Sequence, residues 1–175
     1  MTELITANAF ARMPDIESAL DELDEGRLVM EPFLKFRGAG CFSEIMFTLS
    51  NHIKRHGLGK IYGRIGFRLN KYTVRAPNTS FIRQERLIHT DGYYPGAPDL
   101  AVEIFESGRS VRNLKRKVKQ YFEAGTNTVW IVYPESREIN VLEASGADRV
   151  LGVGEMLDCP ELLPGFSVKI DEFFE

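Results

Sequence analysis

The sequence predicts one α/β domain, and three observations carry that expectation. Residues 97–134 read as strand, basic helix and strand with short connections, the signature of a parallel crossover. Residues 139–143 then return as an antiparallel strand after a turn at 134–138. The 175 residues, 43% hydrophobic, contain no repeat, low-complexity tract or linker, so residues 1–175 fit a single domain with a sizeable core.

Taken in order, residues 14–23 predict a short acidic helix with Ile16, Ala19, Leu20 and Leu23 on one face. Gly26 punctuates the chain, Arg27–Glu31 reads as a strand, and Pro32 stops it. Phe42, Ile45, Met46, Leu49 and Ile53 recur at helical spacing and predict a helix over 39–56, closed by Gly57. Residues 60–69 and 72–75 flank Asn70-Lys71 as a hairpin, and Thr79–Arg83 is a further strand. Residues 84–96 are a polar connection ending in glycines and prolines. In 99–105, Leu100, Val102 and Ile104 alternate with Asp99, Ala101, Glu103 and Phe105, so the strand has two unlike faces. Ser110 is the expected N-cap of the next helix, whose stripe is Val111, Leu114, Val118, Tyr121 and Phe122, and Gly125 ends it. Residues 129–133 form a buried strand. Trp130, Val132, Leu100, Val102, Leu114 and Val118 are expected to make the helix–sheet contact. Residues 166–170 give a last strand, followed by a short C-terminal helix.

Net charge is −3, so no global field draws the protein to nucleic acid. The charge is unevenly placed: Arg109, Arg112, Lys115, Arg116, Lys117 and Lys119 crowd one helix, while 15–25 and 172–175 are acidic. Two cysteines, Cys41 and Cys159, lie too far apart for a metal spacing, so a reduced cytoplasmic protein is expected. The start of the chain has neither a basic nor a long apolar run, and no stretch approaches the ~20 apolar residues of a membrane helix. Asn78-Thr79-Ser80 matches a glycosylation sequon, which has no consequence without secretion.

Several chemistries are absent or poorly supported. Serine nucleophile elbows and phosphate-binding glycine loops are missing. His52 and His56 have metal-compatible spacing, but no third ligand matches and both lie off the apolar stripe. Cys41 reads as a structural thiol. Glu103 differs, because a carboxylate inside an apolar strand must find a cation, a donor or water. Two readings stay open for it: an ion pair with an Arg or Lys of the next helix, or a metal ligand beside a phosphate-contacting lysine. On a helical wheel Lys115 and Lys117 border opposite sides of the stripe, so the pattern alone does not choose between them.

The segment PDLAVEIFESGRSVRNLKRKVKQYFEAGTNTVWIVYP resembles the PDLxVEVxS…K…YxxxGxxxxWxVxP pattern of the Uma2 family, restriction-endonuclease-like proteins of the PD-(D/E)XK nuclease superfamily. ELDEGRLVMEP (22–32), VRAPNTSFIRQERL (74–87) and LLPGFSVKIDEFF (162–174) resemble that family's early strand, its VxxPDxxFV strand and its closing LPGF segment. The resemblance covers nearly the whole chain in the right order. It implies a restriction-endonuclease-like mixed sheet flanked by helices, and a Mg²⁺- or Mn²⁺-dependent phosphodiesterase site. It also implies that the second acid is Glu103, that the lysine is Lys117 rather than Lys115, and that Glu22 is a supporting acid.

Departures from the pattern are equally specific. The first acid of the family, an aspartate, is Asn78 here; Thr128 and Tyr133 replace two further acids, and GAGCF lacks a family histidine. An amide oxygen can ligate a divalent ion but brings no charge. Asp99 shares a strand face with Glu103, but four residues at ~3.3 Å separate their Cα atoms by roughly 13 Å, which makes Asp99 a strand-entry or supporting residue. Glu103, Asn78 and Lys117 are expected to converge on one cleft. Arg109, Arg112, Lys115 and Arg116 are the candidate phosphate contacts. The expected partners are nucleic acid, DNA first, and a second copy of the chain in a homodimer, with no membrane. Two functional classes follow: a metal-dependent endonuclease with a degraded first acid, or a catalytically impaired nuclease fold that binds nucleic acid or protein.

Overall fold

Two adjacent residues of one strand, Val102 and Glu103, belong to opposite layers of this α/β domain. The computed structural model describes residues 4–13 and 20–175. A first sheet, in the order β2-β1-β5-β4-β7, contains β1 (Leu20–Asp24), β2 (Arg27–Glu31), β4 (Phe67–Asn70), β5 (Thr73–Arg75) and β7 (Tyr94–Pro95). A second, mixed sheet runs β11-β10-β9-β8-β6-β3, from β3 (Gly59–Tyr62), β6 (Thr79–Arg83), β8 (Leu100–Ile104), β9 (Thr128–Tyr133), β10 (Glu138–Glu143) and β11 (Arg149–Leu151). β12 (Met156–Asp158) pairs with β13 (Ser167–Lys169) alone. The helices are α1 (Ala7–Phe10), α2 (Phe36–His56) and α3 (Val111–Glu123). None of them is long and apolar enough to cross a membrane.

β8 and β9 are parallel, with Val102 opposite Trp130 and Glu103 opposite Ile131, as the strand–helix–strand pattern requires. Alternation then sorts the side chains. Leu100, Val102, Ile104, Trp130 and Val132 pack with Ile45, Leu49 and Ile53 of α2 and with Phe166 and Phe173. Ala101, Val129 and Ile131 face α3 and meet Val118 and Tyr121, with Leu114 and Phe122 alongside. The expected contact of Leu114 and Val118 with Trp130, Val132, Leu100 and Val102 is therefore wrong. Those strand residues are the larger set and α2 covers them, while α3 takes the smaller side.

α3 begins at Ser110, whose Oγ accepts the Asn113 N–H at 3.2 Å, and ends before Gly125 at φ +102°. Val111 is exposed, so the expected stripe is too long at its start. Lys117 and Gln120 are buried instead, because the first sheet covers that second side of the helix. α2 starts at Phe36 rather than 39. The Glu106 carboxylate accepts the Lys35 N–H at 3.1 Å and caps the helix from the loop after β8. A Cβ at Gly38 would run into that carboxylate.

Residues 20–24 are strand, not the end of a helix; the rest of the expected acidic helix, 14–19, lies outside the described residues. Glu25 (φ +50°) and Gly26 (φ +80°) form the two-residue turn joining β1 to β2. The single strand expected over 60–69 breaks at Gly63–Gly66 into β3 and β4, which enter different sheets. The hairpin turn is Lys71-Tyr72, one residue later than expected, with Asn70 Oδ1 accepting the Tyr72 N–H at 2.8 Å. The last strand shortens to β13, and a 3₁₀ turn at Ile170–Phe173 follows.

Core truncation tests the layering. Leu49→Ala should cost ~2–5 kcal/mol in urea unfolding, whereas Val111→Ala should stay within ~0.5 kcal/mol. Comparable losses from both would contradict the assignment of α3's buried side.

Candidate active site

A strand carboxylate and a helix ammonium meet under the first sheet. Glu103 is buried on the α3 side of β8, and its Oε1 lies 2.9 Å from Lys117 Nζ. The same Oε1 accepts the Tyr121 hydroxyl at 2.8 Å. Lys117 and Tyr121 are one helical turn apart, so both reach the same strand residue. Lys117 Nζ is also 2.8 Å from Oε1 of Glu22, which β1 contributes and which is fully buried. One ammonium thus joins two carboxylates from two sheets.

A second layer of ion pairs surrounds this contact. Glu22 accepts Arg75 Nη1 at 3.0 Å and the Ala76 N–H at 2.9 Å. Arg75 Nη2 is 2.8 Å from Asp24, and its Nε donates to Gln120 Oε1 at 2.8 Å. Gln120 Nε2 donates to Asp24 Oδ1 at 2.8 Å, and Arg116 reaches Asp24 Oδ2 at 2.8 Å. Glu22, Asp24 and Glu103 are thus paired with Lys117, Arg75 and Arg116, and Arg64 Nη2 also lies 4.0 Å from Glu22.

Environment separates the two glutamates. Burial pushes the Glu103 carboxyl above its ordinary range; Lys117 draws it down and Glu22 raises it further. Burial also works upward on Glu22, but Lys117 and Arg75 outweigh it and the carboxyl ends below its ordinary range. Burial opposes the Lys117 ammonium, yet Glu103 and Glu22 hold its pKa above the usual value. Burial, then Glu103, lifts the Tyr121 phenol well up, so it stays a donor.

Asn78 lies just before β6. Extending the β6–β8 register, in which Thr79 faces Val102, sets it opposite Glu103. Its Oδ1 accepts the Ile104 N–H at 2.8 Å. A backbone N–H only donates, so the amide orientation is fixed with the oxygen on β8. A cleft of about 220 Å³ opens over this region, with Asp24, Glu31, Arg75, Glu103, Arg109 and Lys117 in its lining.

Of the three residues expected to converge on one cleft, Glu103 and Lys117 line it. Asn78, opposite Glu103 on the neighbouring strand with its oxygen on the Ile104 N–H, is not part of the lining. Glu22 meets Lys117. Lys115 is exposed. Asp99 does not join them. It sits at the other end of β8, accepting the Arg83 N–H at 2.9 Å and Arg86 Nη1 at 2.7 Å, and so anchors the connection after β6. Among the candidate phosphate contacts, Arg109 pairs with Glu31 at 3.3 Å and Arg116 with Asp24, while Arg112 and Lys115 are exposed. His52 and His56 engage the carbonyls of Pro164 and His52. Cys41 is buried, and burial raises its thiol pKa. Among the described residues no three His, Cys, Asp or Glu side chains form a metal-binding group. Sequence reasoning gave Asp24, Arg75 and Gln120 no role, and read Tyr121 as an apolar stripe residue and as the tyrosine of the family pattern, without a contact to Glu103.

The family model described as "Uma2: Putative restriction endonuclease" matches residues 7–171. Among solved structures, the chain is similar to one titled a putative nuclease belonging to DUF820 from Anabaena variabilis. The TM-score is 0.87 at 18% identity, over 97% of each chain. No curated protein matches.

Lys117→Met leaves Glu22 and Glu103 buried without their shared cation and should cost ~3–5 kcal/mol at pH 7. Both carboxyls then rise in the folded state, which binds more protons than the unfolded chain, so the loss should shrink toward pH 5. Lys115→Met should stay within ~0.5 kcal/mol. Urea unfolding at both pH values checks this; a pH-independent loss contradicts the shared cation.

Proposed function

The chain belongs to the Uma2 family, and on that premise we propose that it is a nucleic-acid phosphodiesterase, an endonuclease working at the Glu103–Lys117 cleft with Mg²⁺ or Mn²⁺. The observation that carries this is the buried pairing of Lys117 on α3 with Glu103 on β8. The motif resemblance assigned those two residues as lysine and acid, and they meet at 2.9 Å in a cleft wall.

The oxygens present suit one hard ion held weakly. Glu103 Oε1 takes Tyr121 and Lys117, and Oε2 has no hydrogen bond among the described residues. Asn78 Oδ1 accepts one hydrogen bond and keeps a second lone pair. Mg²⁺ commonly keeps several waters and takes only one or two protein oxygens, so Glu103 and Asn78 would hold it without a three-acid cluster. When bound, the ion would lower the pKa of a water and polarise phosphoryl oxygens.

The chain's own groups have definite roles beside it. Tyr121 fixes the Glu103 carboxylate through its hydroxyl. Glu22, held by Arg75 and the Ala76 N–H, keeps Lys117 charged at the cleft wall, where an ammonium stabilises negative charge developing on phosphate. Arg112 and Lys115 on the outer side of α3 would meet backbone phosphates, and DNA is the proposed substrate. Two buried free thiols, Cys41 and Cys159, fit a reducing cytoplasm.

A second reading rests on Asn78. Its oxygen is already engaged by the Ile104 N–H, its other polar group is an NH₂ donor, and Lys117 already neutralises both glutamates. On that reading turnover is lost and the fold persists as a nucleic-acid or protein binding module.

Plasmid and oligonucleotide cleavage with Mg²⁺ or Mn²⁺ separates the two. The enzyme reading expects slow wild-type cleavage, abolished in Glu103→Ala, reduced in Lys117→Ala and raised about tenfold or more in Asn78→Asp, where a carboxylate adds charge to the ion site. Cleavage only in Asn78→Asp supports the binding module. No cleavage and no ion uptake in any variant rejects the site.

A further inference from the structure

We propose that β2 is the contact through which two copies of this chain pair, edge to edge and antiparallel, about a two-fold axis at Val29. β2 is the end strand of its sheet, and among the described residues nothing pairs with its outer edge. The Glu25-Gly26 turn has both φ values positive, at +50° and +80°, as a type I′ turn requires. Such a turn closes with a hydrogen bond between Asp24 and Arg27. Alternation along an antiparallel pair therefore directs the N–H and C=O groups of Leu28 and Met30 away from β1.

Sheet edges are normally blunted by an inner charge, a proline or a bulge. Here the inner positions are Leu28, Val29 and Met30, with Leu28 37% and Met30 60% exposed. Charges stand only at the two ends, Arg27 and Glu31, and they are opposite in sign. Antiparallel pairing centred on Val29 brings Leu28 opposite Met30 of the second copy, where the outward backbone groups of each satisfy the other. It also brings Arg27 opposite Glu31 of the second copy, twice by symmetry. A shift of two residues either way sets Arg27 or Glu31 opposite Val29 and loses both charge pairs. Glu31 Oε2 already takes Arg109 at 3.3 Å, and its Oε1 makes no ion pair among the described residues. Phe33 and Phe36, 67% and 98% exposed, follow directly and extend the apolar surface next to the edge.

Sedimentation of the full chain from about 1 to about 200 µM reads the association over the range expected of a short edge contact. The wild type should rise from the 19.9 kDa of one copy toward twice that mass. Met30→Lys, a charge on the outer edge, should weaken association at least about tenfold, with circular dichroism showing the fold kept. Arg27→Glu should also weaken it, and Arg27→Glu with Glu31→Arg should recover it. A one-copy mass at every concentration overturns the proposal, as does a two-copy mass that neither single change moves. A double swap as weak as Arg27→Glu alone overturns the antiparallel register.

Discussion

One ammonium shared by two buried carboxylates constrains everything around it. Lys117 ties Glu22 of the first sheet to Glu103 of the second, and α3, lying between the sheets, supplies the cation. A buried carboxylate alone is costly, and two together more so. The site therefore exists only if β1, α3 and β8 are packed in register. Arg75, paired with Glu22 and Asp24, and Arg116, paired with Asp24, add the remaining cations of the layer, and Gln120 links Arg75 to Asp24 by hydrogen bonds. The layer that orients the candidate catalytic groups is thus the layer that joins the sheets.

Asn78 holds its place through one backbone contact. The position must offer an oxygen to the Ile104 N–H, and an amide does this as well as a carboxylate. Either side chain would keep that backbone contact. What changes is the other polar atom, a donor where an acid would give a charged oxygen. That difference changes the charge available to an ion, and it is the point on which the endonuclease and binding-module readings divide.

Most of the second sheet was legible, because period-two alternation and turn residues are local signals. Thr79–Arg83 has the expected bounds, as does Arg27–Glu31 in the first sheet, and the two faces of β8 are those its alternation defines. Which layer covers each face was not legible. Volume and topology decide that, and they assigned Trp130 and Val132 to α2. The second buried side of α3 was hidden for a related reason: Lys117 and Gln120 look like solvent residues until a sheet carrying Glu22 and Asp24 is laid over them. Only the motif resemblance distinguished Lys117 from Lys115. Arg75, Asp24 and Glu106 act through partners tens of residues away, and no local pattern marks such pairs.

The account stands on Lys117 and Glu22 acting as one unit, and a double-mutant cycle measures that directly. Unfolding free energies are needed for the wild type, Lys117→Met, Glu22→Gln and the double variant at pH 7. Lys117→Met leaves both carboxylates without their shared cation, Glu22→Gln leaves Lys117 paired with Glu103, and the double variant leaves only Glu103 without it. The double variant should therefore be less destabilised than the sum of the singles by ~1–3 kcal/mol. Additivity within ~0.5 kcal/mol would show that the two groups do not depend on each other, and would contradict the shared cation as the centre of this structure.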